Sequence, residues 1–237
     1  MNVLKIFNEY EIKARYFPAM LISIPFLLSF GMLKGTAWVP LIESTKIFPI
    51  AEYAGFSVIL VFFLVQVQRF IAKFFLEKRI FDKEELFPTT QMLLWQDNRL
   101  SKEMKVKIRK KIFDDFDISL YSEKKESKNL KEARRLIKDI IPLIRQKIEK
   151  GRLVHQHNIQ YGFARNLLAG TLIAIPVSLF NIYLSLKSNA TFGLIISIII
   201  VVFCFVFFLA RKPILKNLAE NYAEFLLREY CYIGGKK

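Results

Sequence analysis

The residue types that most often do chemistry are scarce in this chain and poorly arranged. It has two histidines, His155 and His157. A spacing of two puts the imidazoles on different faces of a helix, so they do not converge on one metal ion. The sequence holds no His-Glu-x-x-His pair, no phosphate loop and no Gly-x-Ser-x-Gly elbow. Its two cysteines, Cys204 and Cys231, are too few for a disulfide framework. The expectation is a chain that is not an enzyme, with no catalytic residue, metal or cofactor.

One short pattern does pair an arginine with a histidine. Arg152-Leu-Val-His-Gln-His157 reads as Arg-x4-His and resembles the motif of HEPN ribonucleases. The residue after the arginine, polar in those proteins, is Leu153 here, which weakens that reading. The string His155, His157, Asn158, Gln160, Tyr161, Arg165 and Asn166 is more informative as a polar collar, with Arg152 a further candidate coupling residue ahead of it. It lies where a charged segment meets an apolar run. Tyr and Arg at such a junction anchor a helix at headgroup depth. The same residues could transmit a signal from the charged segment to the apolar run.

The elements that position the collar are apolar. Four runs without charge extend over Tyr16 to Leu33, Tyr53 to Gln68, Asn166 to Leu186 and Ser188 to Ala210. A bilayer core about 30 Å thick takes about 20 such residues as a helix. The second run continues past Arg69, whose stem can lie in the apolar layer while its head reaches water. The expected fold class is all-α, a four-span transmembrane protein of two hairpins with a mainly helical cytoplasmic domain. The boundaries are a tail at 1–15, a first hairpin at 16–76, a basic domain at 77–160, a second hairpin at 161–210 and a C-terminal helix and tail at 211–237. Of 36 Lys and Arg against 21 Asp and Glu, most basic residues fall between Arg69 and Arg165. Positive residues stay inside, so both termini and the basic domain are expected on the cytoplasmic side.

The first and third runs resemble each other. Both contain Ala-Arg and then Leu-Ile-small-Ile-Pro, ending at Pro25 and at Pro176. This pattern suggests a parallel internal repeat. A proline at mid-span removes one helical hydrogen bond, and a neighbour must meet the freed carbonyl. Ser23, Ser29, Ser57, Gln66, Ser178, Asn181 and Ser197 supply modest polarity within the runs. No ionisable residue lies deep, which argues against an ion-coupled carrier. Pro25, Gln66, Arg69, Pro176 and the collar are the candidate coupling or pore residues.

In the basic domain Ser101 reads as an N-cap, followed by a helix with Met104, Ile108 and Ile112 on one stripe. Its other face carries Lys102, Lys105, Arg109 and Lys110, a candidate anion-binding face. Ser122 to Lys128 reads as a loop, and Asn129 with Glu132 as a capping box. The apolar residues that follow recur at near-heptad spacing from Leu130 to Ile148, kinked at Pro142 and broken at Gly151. That stripe suits either an internal core or an oligomer contact.

Phe87-Pro88-Thr89-Thr90 with Leu94-Trp95-x-Asp97, and Asn158-x-x-Tyr161-Gly162-Phe163-x-Arg165-Asn166-Leu167, resemble small multi-pass bacterial membrane proteins of anti-phage defence loci. The resemblance implies a membrane effector or accessory subunit that perturbs the membrane on infection. The expected function is a regulated pore or membrane-perturbing effector. Its alternatives are a non-conducting scaffold that recruits a soluble effector or nuclease, and a small transporter. Expected partners are the lipid bilayer, further copies of the chain as a homo-oligomer and a soluble cytoplasmic protein. A nucleic acid or nucleotide signal has no support beyond the basic charge.

Overall fold

A computed structural model of the chain describes residues 9–34, 48–82, 84–148 and 152–232. Lys5, Lys46, Lys83, Lys150, Gly151, Lys236 and Lys237, which entered the charge and helix-break readings, lie outside those residues. Among the described residues there are helices and no strand. Contacts divide the chain into two units, Met1–Leu76 with Gly162–Ile214, and Glu77–Tyr161 with Leu215–Lys237.

The first unit carries the apolar helices, α1 (Phe17–Lys34), α2 (Phe48–Ile71), most of α7 (Arg152–Ser188) and α8 (Thr191–Leu209). A π-helical turn, Ile12–Tyr16, precedes α1, and another, Ala72–Glu77, prolongs α2. Four helices are long and apolar enough to cross a membrane. Their large exposed side chains are apolar: Phe63 on α2 and Phe192, Ile199, Phe203 and Val206 on α8 stand open. Such a surface is tolerable against hydrocarbon and costly against water. Asn189, with a φ of 54°, reverses the chain between α7 and α8, a backbone state that Asn adopts more readily than most residues.

Helices α1 and α7 run in the same direction. Asn166 contacts Ala14 near one end and Ser185 contacts Met32 near the other. The hydrogen-bonded pairs between them are separated by 152 to 156 residues throughout. That separation lies close to the offset of the sequence repeat, 150 at Ala14 and Ala164 and 151 at Pro25 and Pro176.

The second unit is built on α3 (Pro88–Gln91), α4 (Lys102–Phe116), α5 (Glu123–Lys128), α6 (Leu130–Lys147) and most of α9 (Arg211–Tyr232). Ser101 caps α4 by accepting from the Met104 amide at 3.2 Å. Asp117 ends α4 in the left-handed conformation, and its N–H returns to the Phe113 carbonyl, a C-terminal cap. Ile108 and Ile112 of α4 pack with Ala133, Ile137, Ile140 and Ile144 of α6 and with Tyr222, Leu226 and Tyr230 of α9.

Several expectations need correction here. Ser122–Lys128 is not a loop, because Glu123–Lys128 forms α5 and buries Glu126. Asn129 makes no side-chain cap to α6; its own N–H instead ends α5 on the Lys125 and Glu126 carbonyls. The α6 stripe is taken up by the internal core, so it offers no oligomer contact. The C-terminal helix buries Leu215, Ala219, Tyr222, Ala223 and Leu226, of which Tyr222, Ala223 and Leu226 join the core of α4 and α6.

Candidate functional site

Two places bury polar groups, one in each unit. In the first unit the buried side of α7 is small and polar. Thr171, Ala174, Ser178, Asn181 and Ser185 alternate in steps of three and four, so they share one face, and all are buried. Asn166 begins this line near the Tyr161 end of the span. From Asn166 to Ser185 the helix rises about 28 Å at 1.5 Å per residue, close to the thickness of a bilayer core, about 30 Å. Ser23 of α1, Gln68 of α2 and Ser197 of α8 are buried as well; Gln68 lies beside Gly170 of α7, and the Ser23 hydroxyl donates to the Met20 carbonyl of its own helix.

Some of these groups are well held. Asn181 donates from Nδ2 to the Pro25 carbonyl at 2.7 Å and accepts from the Ser29 hydroxyl at 2.6 Å. Ser29 also reaches the Pro25 carbonyl at 3.0 Å. Asn181 is thus a clamp on α1 at its proline. The residue expected to need a neighbour there, Pro25, has one, although the bond falls on its own carbonyl. Asn166 donates to the Ala14 carbonyl at 2.6 Å, and Thr171 to the Leu168 carbonyl at 2.7 Å.

Others are not. Both amide atoms of Gln68, Oδ1 of Asn166 and the hydroxyls of Ser178 and Ser197 are buried without a hydrogen-bond partner. Gln68 is 1% exposed. It faces inward because it continues the buried positions Leu64, Ala72 and Leu76 of one helical stripe. A Cβ added to Gly170 would lie 2.6 Å from Gln68 Nε2 and would also strike Ile22. The missing side chain at Gly170 therefore lets α1, α2 and α7 meet around the Gln68 amide. Gly193 plays the same part where α8 meets Met32 and Ser185.

In the second unit the buried polar groups form a tight ionic knot. Arg109 Nη2 lies 2.8 Å from Glu126 Oε2 and donates to the Leu93 carbonyl at 2.7 Å. Its Nη1 donates to the Tyr121 carbonyl at 2.6 Å, and the guanidinium covers the Trp95 ring. The other Glu126 oxygen accepts from the Trp95 amide at 2.5 Å. Lys105 donates to the carbonyls of Leu94, Trp95 and Asp97. Burial pushes the Lys105 ammonium below the usual lysine range, against the pull of Asp97. Burial likewise lowers Arg109, opposed by Glu126. Of the knot's side-chain atoms, only Arg109 Nε lacks a partner. Lys105 and Arg109 therefore fall out of the expected anion-binding face, because their charged ends point into the turns at 92–97 and 121. Lys102 and Lys110 stay exposed.

The collar does not form one cluster. Tyr161 is buried in the second unit, donating to Glu77 at 2.7 Å and meeting the Phe87 ring edge-on. His157 stacks on Phe225, with ring centroids 4.1 Å apart. Arg152 is exposed, and His155 and Asn158 are half-buried. Arg165, half-buried, and Asn166 belong to the first unit, where only Asn166 joins the polar line. Gln66 and Arg69 are exposed, and Pro176 faces away from the buried side of α7. The inward amide is Gln68, two residues from Gln66. Extending the four-residue spacing back from Leu76 through Ala72 would have identified it. Comparison with models of known families, with curated proteins and with solved structures finds no match to this chain.

Proposed function

We propose that the chain is a homo-oligomeric bacterial inner-membrane effector that opens a regulated path across the bilayer, with the second unit as its cytoplasmic control element. One observation carries this reading: a line of buried polar side chains about as long as the bilayer core is thick, part of it unpartnered. Buried polar atoms without a protein partner cost free energy unless water meets them. They become favourable once water reaches them, so the same helices can hold a closed and a wet arrangement. The exposed apolar residues of α8 offer a surface for further copies. The motif resemblance suggests that phage infection supplies the trigger.

The test is a membrane-potential dye assay in cells expressing the chain, before and during infection. Depolarisation that starts with infection is the expected result. If potential is held throughout while the chain is inserted, the non-conducting scaffold takes its place. Exposed Lys102 and Lys110 on α4 are the residues that would meet a soluble partner in that case.

A further inference from the structure

We infer that the exposed row Lys102, Val106, Lys110 and Phe113 of α4 is a docking face for an anionic phospholipid surface. It rests on the reading of the second unit as a control element beside the bilayer, but not on conduction. Steps of four, four and three put these residues on one face of the helix, and all four are exposed. The opposite face is committed. Ile108 and Ile112 enter the core, and Lys105 and Arg109 enter the knot. α4 therefore cannot turn the row inward. Val106 keeps 53% of its surface open and Phe113 49%, although both are apolar and stand among lysines. The Asp117 N–H, bound to the Phe113 carbonyl, fixes that end of the helix.

The charge around the row is mainly positive. Lys107 on α4 and Lys124, Lys125 and Lys128 on α5 are exposed too. The Arg109–Glu126 pair holds α5 beside α4, so the α5 lysines and the row belong to one piece. The exposed acids of the two helices are Glu103, Asp114 and Glu123. Glu103 and Asp114, both on α4, stand on a row of their own. Lysines alternating with apolar residues match the headgroup boundary of a bilayer: the ammoniums meet phosphates, and Val106 and Phe113 reach the first acyl carbons. Lipid is also the anionic surface at hand. One helix, α7, carries residues of both units, and it is long and apolar enough to cross a membrane. Nucleic acid fits less well, because Val106 offers no ring to a base and Lys lacks the flat fork of Arg. Each Lys near an anionic leaflet raises the ratio of docked to undocked forms about fivefold.

The experiment uses the full chain carrying Cys204→Ser and Cys231→Ser, reconstituted in vesicles. An environment-sensitive fluorophore is attached at Val106→Cys, and the vesicles contain a phosphatidylcholine spin-labelled high on the acyl chain as a contact quencher. In vesicles of phosphatidylcholine and phosphatidylglycerol in equal parts, the fluorophore is expected to be quenched. Quenching should fall in phosphatidylcholine alone and in about 1 M salt, where the Debye length shrinks to about 3 Å. Lys102→Gln with Lys110→Gln should lower the docked-to-undocked ratio about 25-fold. The same fluorophore at Asp139→Cys, exposed on α6, should stay unquenched. Absence of quenching with phosphatidylglycerol overturns the inference. So does quenching that ignores phosphatidylglycerol and the two lysines, or that is equal at Asp139→Cys. A blue shift without quenching gives the row to a second copy of the chain and overturns it as well. A single-stranded DNA oligonucleotide that shifts the fluorophore where phosphatidylglycerol does not gives the row to nucleic acid, with the same consequence. None of these results bears on the pore reading, which depolarisation during infection tests separately.

Discussion

The two buried polar regions differ in how completely they are satisfied. In the knot a carboxylate, a guanidinium and an ammonium are held by one another and by five carbonyls. In the line along α7 no group is charged, yet the Gln68 amide, Asn166 Oδ1 and two hydroxyls lack partners. Buried charges without partners would be far too costly, so a knot of this kind exists closed or not at all. Neutral amides and hydroxyls cost less when unpartnered, so a structure can keep them in reserve. The contrast separates a cluster whose polar groups are almost all held by protein from one whose protein partners are incomplete.

The largest expected effect lies in the knot. Glu126→Ala leaves Arg109 buried and unpaired, at a cost of about 3 to 5 kcal/mol. Chemical denaturation of the full chain in detergent, followed by Trp95 fluorescence, should show this loss in the second unit. A cost under about 1 kcal/mol would mean the pair is already solvated, and the comparison would break on that side.

Gly170→Leu is expected next, at about 1 to 3 kcal/mol, because the new side chain must displace Ile22 and the Gln68 amide. Gly31, where an added Cβ would meet open space, should accept alanine without loss. Thermal unfolding in the same detergent reads both variants.

The sign of the next effect sharpens the comparison. Gln68→Leu removes an unpartnered amide, so it should stabilise the closed form by about 1 kcal/mol. The reverse sign, a drop in melting temperature, would show that water already satisfies Gln68 in the closed state. The two regions would then differ in chemistry but not in saturation.

Acid should distinguish the units too. Burial pushes the Asp115 carboxyl up, but hydrogen bonds from Lys147 and Tyr230 outweigh it and hold the group below its ordinary range. Asp97 is lowered in the same way by Arg99. A depressed carboxylate contributes stability above its unfolded pKa, about 4, which is lost as pH falls through the folded value. Asp115→Asn should flatten the decline of second-unit stability below about pH 4 and cost about 1 kcal/mol at neutral pH. The uncharged line has no such titration. An equal acid sensitivity in both units after Asp115→Asn and Asp97→Asn would deny the difference.

Much of this was legible in the sequence. Charge-free runs gave the four apolar helices because nothing else tolerates so many apolar residues in a row. The α4 cap and the Ile108 and Ile112 stripe were visible for the same reason that they form: Ser101 meets an amide, and the period is helical. The knot was hidden because Lys105 and Arg109 look like solvated charges until their carbonyl partners, eight or more residues away, are known. Gln68 was hidden because it closes an apolar run beside Arg69, where a polar residue is expected to face out. The Asn129 box failed for a local reason. The N–H it offers is already committed to ending α5.

The wide sequence separation between α1 and α7 has a consequence for how the molecule is made. A ribosome adds about 5 to 20 residues per second. The Asn181 amide that clamps Pro25 is 156 residues downstream of it, so it arrives roughly 8 to 30 s later at those rates. Phe30 of α1 and Phe56 of α2 stack on each other within the part of the chain made first, whereas Ile22 and Gln68 face a Gly170 backbone that is made later. The α1–α2 pair can therefore form before α7 exists, and its Gln68 amide gains the α7 backbone as a neighbour only once the third apolar helix has been made.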